Sequence, residues 1–204
     1  LLKEQGHIVD LFDTTYHKIT ALGEDELSSN EIQDKHLQVR PFNLEGTKIK
    51  PKTTDVGVDF LDKVKTFNPD LIAASCVEDM YPLTKRLLNL LREKTNILTI
   101  LGGVFPTFAP KKAIATNGVD IICVGEGESA IIDLAENIDN ISTTGHINPI
   151  NNLWYYDIEN NTTIKNPSAS FRQDLDELPY INRKIWDKWI YNPNEYPAIL
   201  LGRG

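Results

Sequence analysis

The chain has 204 residues, of which 41% are hydrophobic and 25% charged, and a formal net charge of −8. That composition excludes a disordered chain, and the acidic balance argues against nucleic acid or anionic membrane surfaces as partners. No apolar run approaches the ~20 residues that a membrane-spanning helix needs.

The chain opens on LLKEQG, which reads as the last turns of a helix closed by Gly6. It closes on AILLGRG, an apolar strand run into a loop, with neither a start methionine nor a signal peptide in view. Both ends read as cut from something longer. Residues 7–12 (HIVDLF) predict a strand by their alternation. Residues 13–57 are polar, too long for an ordinary connection, and read as an insertion with a short extended piece at 37–42. His17 and His36 lack metal-ligand spacing and are expected on an exposed loop.

Regular elements then follow. Residues 58–67 predict a helix stopped by Asn68-Pro69, and residues 70–76 (DLIAASC) a buried strand. Residues 81–94 predict an amphipathic helix, with Pro82 in its first turn and Leu83, Leu87, Leu90 and Leu91 facing inward. Residues 97–101, 110–117, 119–124 and 128–138 continue as strand, helix, strand, helix. Cys76 and Cys123 fall inside predicted strands, a usage that suits a reducing cytoplasm rather than a disulfide scaffold.

After Asn140 the composition changes. Residues 151–157 (NNLWYYD) and 162–166 (TTIKN) predict a β-hairpin across an Asn-rich turn, and residues 173–178 (QDLDEL) an acidic connector. Trp186, Trp189 and Tyr191 form either a docking surface or the local packing of a short helix.

Glycine marks the candidate site. One strand run stops at Gly102-Gly103, the next at Gly125-Glu126-Gly127-Glu128, and both are followed by helix. Ligands of parallel α/β sheets bind outside the carboxyl ends of the strands. Gly102-Gly103 admits three readings: a tight turn, a phosphate-binding loop, or bare backbone under a flat, bulky ligand. The phosphate loop wants G-x-G-x-x-G, which is absent, and Glu126 and Glu128 at a helix start would repel a pyrophosphate. Ser75 ends the neighbouring strand with a hydroxyl, which would serve either a ring nitrogen of a buried ligand or local backbone. A receiver domain would need Asp and Lys where this chain has Ser75-Cys76 and Gly125-Glu126. The expected crevice comprises Ser75, Cys76, Val77, Gly102, Gly103, Val104, Pro106 and Thr107, with Gly125, Glu126 and Gly127 on its rim. A side chain at Gly103 is expected to fill the ligand's path while leaving the fold largely intact.

Taken in order, DLIAASCVED, LGGVFPT, VDIICVGEGE, NNLWYYD, IKNP, DLDELP and the terminal GRG resemble the N-terminal half of cobalamin-binding radical SAM proteins. The resemblance covers almost the whole chain and is weakest over 13–57. It implies a flavodoxin-like three-layer α/β sandwich with a parallel sheet over residues 1–140, then a hairpin and linker over 141–204 leading to a radical SAM barrel. It implies that Ser75 and Gly102-Gly103 line the pocket for the dimethylbenzimidazole tail of cobalamin. Val77 stands where the family's serine motif usually has Leu. The family's cobalt-ligating histidine loop would lie upstream of Leu1. Its [4Fe-4S] cluster and S-adenosylmethionine would belong to the barrel, whose C-x-x-x-C-x-x-C typically follows an Arg-Gly such as Arg203-Gly204. Relatives of this kind often carry the label anaerobic magnesium-protoporphyrin IX monomethyl ester cyclase. The family's chemistry is methyl transfer or related radical reactions, so these residues alone are expected to be non-catalytic.

Two other classes stay open: a flavin- or nucleotide-binding flavodoxin-like domain, and a docking module without a ligand. In a 2-1-3-4-5 strand order, residues 7–12 would be the second strand and 70–76 the third, with the central strand absent. The sequence therefore predicts a further neighbour for 70–76. It would come from an added N-terminal segment, from a second copy in a strand-exchanged homodimer, or from 37–42.

Overall fold

Residues 1–17, 52–144, 147–157 and 159–189 are described by a computed structural model. Helix α1 (Val56–Phe67) begins where the Asp55 carboxylate accepts the amides of Gly57 and Val58, at 2.8 and 3.0 Å. It ends where Asn68 turns left-handed (φ 51°) and donates its N–H to Val64. Strand β1 (Leu71–Ser75) follows, then a 3₁₀ turn (Glu78–Met80) and α2 (Tyr81–Lys94). Strand β2 (Leu98–Gly102) leads into two short helices, α3 (Val104–Phe108) and α4 (Pro110–Ile114). Strand β3 (Ile121–Cys123) precedes α5 (Glu128–Glu136) and α6 (Ile138–Thr144). The hairpin is β4 (Leu153–Asp157) and β5 (Thr162–Lys165), and a 3₁₀ segment spans Arg183–Trp189.

The five strands form one sheet in the order β1-β2-β3-β4-β5. The first three are parallel, with Ser75 opposite Gly102 and Ile100 opposite Ile121. The hairpin joins antiparallel, Cys123 facing Leu153 and Trp154 facing Lys165. This is the α/β flavodoxin-like arrangement expected, with a mostly parallel sheet between helices. The hairpin does not stand apart from it: β4 continues the sheet of the preceding βα units.

Strand alternation sends side chains to two cores. On one face Ile72, Ala74, Cys76, Leu101 and Ile122 pack with the buried sides of α1 to α4, Phe60, Val64, Leu87 and Phe105 among them. On the other face Leu71, Ile100, Ile121, Cys123 and Leu153 pack with Ala130 and Leu134 of α5 and Ile141 of α6. No described helix is long and apolar enough to cross a membrane.

Three expectations need correction. Residues 7–12 lie outside the sheet, and Phe12 packs instead on Phe60 of α1 and on His17, with ring centroids 5.5 Å apart in both pairs. Among the described residues β1 therefore has one sheet neighbour, β2, rather than two. Its other edge faces a trough of about 490 Å³ bounded by Asp10 to Thr14, Phe60, Val64 and Trp186. Second, His17 is buried, not on an exposed loop. Its Nε2 lies 3.1 Å from the Asp59 carboxylate, which also accepts the Thr54 hydroxyl at 2.7 Å. The Thr54 bond first, and then His17, hold the Asp59 carboxyl below the usual range. Third, α3 and α6 were absent from the expected elements. His36, residues 37–42 and Tyr191 lie outside the described residues.

Candidate functional site

The carboxyl ends of β1, β2 and β3 meet through backbone contacts. The Cys76 amide donates to the Gly102 carbonyl at 3.0 Å, and the Phe105 amide to the Cys76 carbonyl at 3.0 Å. Gly103 makes that approach possible. Its φ is 97° and ψ −167°, and a Cβ there would lie 2.9 Å from the Cys76 carbonyl oxygen and 3.0 Å from the Cys76 nitrogen and Ser75 Oγ. Gly103 is thus required by the fold, contrary to the expectation that a side chain there would disturb only a ligand.

Gly102 differs. It has no left-handed backbone, and among the described residues a Cβ there would meet only Cys123 Cβ, at 3.8 Å, an ordinary contact. The packing of the described residues does not demand glycine at that position. By strand alternation Ala73, Ser75 and Gly102 lie on the face covered further along by α5 and α6. Ala73 and Ser75 are exposed, so a strip of small residues is left bare at this end of the sheet. The Ser75 hydroxyl makes no hydrogen bond among the described residues, so local backbone does not employ it.

Thr107 ties the two glycine turns together. Its hydroxyl donates to the Gly103 carbonyl at 2.9 Å and accepts the Gly125 amide at 3.1 Å. Gly125 has φ 93°, and a Cβ there would meet none of the described residues within 4 Å. At Glu126 the carbonyl accepts Asn152 Nδ2 at 2.6 Å and the carboxylate accepts the Arg172 amide at 3.1 Å. That amide satisfies charge which would otherwise repel a bound anion only in part, because Glu128 opens α5 beside it.

The structure brings Ser75, Gly102, Gly103, Thr107 and Gly125 together. Val77 and Val104 stand exposed in the turns that leave β1 and β2. The side chains of Cys76 and Pro106 point elsewhere. Cys76 is 1% exposed among Leu101, Phe105 and Ile122, with Sγ 3.0 Å from the Val77 carbonyl, and Pro106 is fully buried. Only their backbones can border a ligand. Burial pushes the Cys76 thiol up, and burial together with the nearby Glu128 carboxylate pushes Cys123 up to about 11. Among the described residues no three His, Cys, Asp or Glu side chains gather as metal ligands.

Sequence reasoning missed three neighbours of the site. Phe108 follows Thr107 and is 84% exposed. Asn152 and Arg172 reach the rim from the hairpin and the connector. The signal for Asn152 is an Asn pair just before a strand, a common site for left-handed backbone; its φ is 68°.

Residues 43–135 match the family model of the B12 binding domain. The match takes in α1, the three parallel strands, both glycine turns and nearly all of α5. It covers a little under half of the chain and stops short of the hairpin. Comparison with curated proteins and with solved structures gives no match.

Proposed function

We propose that this chain binds cobalamin at the carboxyl ends of β1, β2 and β3. The observation that carries the reading is the bare strip of Ala73, Ser75 and Gly102. It ends in a hydroxyl with no hydrogen bond among the described residues, beside a glycine that the packing does not require. A flat tail fits such a strip, because a Cβ at Gly102 would stand where it lies. The Ser75 hydroxyl can donate to a ring nitrogen of that tail. Val77, Val104 and Phe108 offer exposed apolar surface to a macrocycle. Thr107 holds the two glycine turns in register through its two bonds. The B12 binding domain match over the same elements supports the reading.

When bound, cobalamin would supply a cobalt centre able to carry a methyl group or to assist radical chemistry. The chain's own residues bind and orient it. The resemblance of the connector DLDELP and the terminal GRG to cobalamin-dependent radical SAM proteins supports a finer reading. In it these residues present cobalamin to a radical SAM barrel holding a [4Fe-4S] cluster and S-adenosylmethionine. On that reading they work in the cytoplasm and do not catalyse alone.

The test is incubation with hydroxocobalamin, gel filtration and a visible spectrum of the protein peak. We expect cobalamin to elute with the wild-type chain. Gly102→Val should weaken binding by about tenfold or more while melting near wild type, since Val suits a strand end. Failure of cobalamin to co-elute would turn the reading towards a docking module. A yellow chromophore carried through purification would turn it towards flavin.

A further inference from the structure

We propose that Asn152 is a positioning residue that couples the rim of the cobalamin crevice to residues 167–172, which run from the hairpin into the connector. The inference rests on the cobalamin reading above. Asn152 is 5% exposed and left-handed (φ 68°), and all four of its polar groups are engaged. Its amide donates to the Pro167 carbonyl at 3.0 Å, and its carbonyl accepts the Val124 amide at 2.8 Å. Its Nδ2 donates to the Glu126 carbonyl at 2.6 Å, and its Oδ1 accepts the Ala169 amide at 2.7 Å. One buried residue thus joins the exit of β3 through its backbone, and its side chain joins the rim to Ala169.

Arg172 strengthens the clasp from the connector side. Its amide donates to the Glu126 carboxylate at 3.1 Å, and its guanidinium reaches Ser129 at 3.3 Å and Glu177 at 3.0 Å. A cleft of about 250 Å³ is lined by Glu128, Ser129, Ser170 and Arg172. The rim therefore cannot shift without stretching bonds to residues 167–172. Ligand held against Gly125 steadies the rim, and the rim steadies the connector. By linkage, whatever fixes the connector tightens the crevice by the same factor.

The amides of Ala169 and Arg172 report this coupling by hydrogen exchange, with and without saturating hydroxocobalamin. In the wild-type chain we expect bound cobalamin to slow their exchange by about fivefold or more. Asn152→Asp keeps the acceptor for Ala169 but sets an oxygen against the Glu126 carbonyl. It should bind cobalamin more weakly and lose the slowing. Asn152→Gly accepts the left-handed backbone without a side-chain amide and gives the same read-out should the Asp variant unfold. Slowing that survives in the variants, or is missing in a wild-type chain that binds cobalamin, overturns the coupling alone. A wild-type chain that binds no cobalamin overturns the cobalamin reading and the coupling with it.

Discussion

Gly102 and Gly103 are adjacent and chemically identical, yet their surroundings ask different things of them. At Gly103 a Cβ meets backbone at 2.9 and 3.0 Å with φ at 97°, so nothing flexible can give way. Gly103→Ala should cost about 1–3 kcal/mol from backbone strain, and more from the clash. Gly102→Ala meets one side-chain carbon at 3.8 Å and should stay within about 1 kcal/mol of wild type. Urea unfolding of the two variants measures the difference. Equal losses would mean that the turn after β2 is not held as described. A pair of glycines is visible in the sequence. Which one the fold needs depends on Cys76, whose backbone arrives from another strand.

Elements with a strong period of their own were the most legible. Helix α2 occupies residues 81–94 as its leucine spacing predicts, because one apolar face and Pro82 in the first turn fix it locally. The short helices α3 and α6 carry too few residues to show a period. The amino ends of the strands, opposite the glycine turns, are braced by an interaction with no local signal. Thr99, 1% exposed, donates its hydroxyl to the Gly118 carbonyl at 2.7 Å and its amide to the Asp120 carboxylate at 2.8 Å. Arg92 of α2 donates to the same carboxylate at 2.6 and 2.7 Å. The bracket locks the entries of β2 and β3 together and to α2, so their far ends present the glycine turns side by side. Asp120→Ala leaves the buried Thr99 amide unsatisfied and should cost about 1–3 kcal/mol by thermal or urea unfolding. A loss below about 0.5 kcal/mol would show that water replaces the carboxylate.

At the scale of the whole molecule, the two buried thiols give stability a direction with pH. Burial raises both, Cys123 from an ordinary 9.0 to about 11. Below 9.0 the thiols are protonated folded and unfolded, and their contribution is intact. Between 9.0 and about 11 the unfolded chain ionises Cys123 while the folded chain does not, so stability falls as pH rises. Unfolding midpoints measured from pH 8 to 11 should decline, and Cys123→Ala should flatten the decline after its own loss of packing is subtracted. A slope unchanged by the substitution would place the titration elsewhere. The edge of β1 that has no strand neighbour among the described residues, and the trough beside it, belong to this scale as well. They follow from residues 7–12 packing on α1 instead of entering the sheet.

Local chemistry by itself determined the βα alternation, the hairpin and both glycine turns at the strand ends. Each of those rests on periodicity or on turn residues that act within a few positions. Tertiary structure alone decided the rest. It turned the Cys76 and Pro106 side chains into the core, buried His17 against Asp59 and joined the hairpin to β3. It also brought Asn152 and Arg172 to Glu126 in the glycine turn after β3. These are contacts between residues far apart in the chain, and neither propensity nor spacing carries information about which distant backbone a side chain will meet.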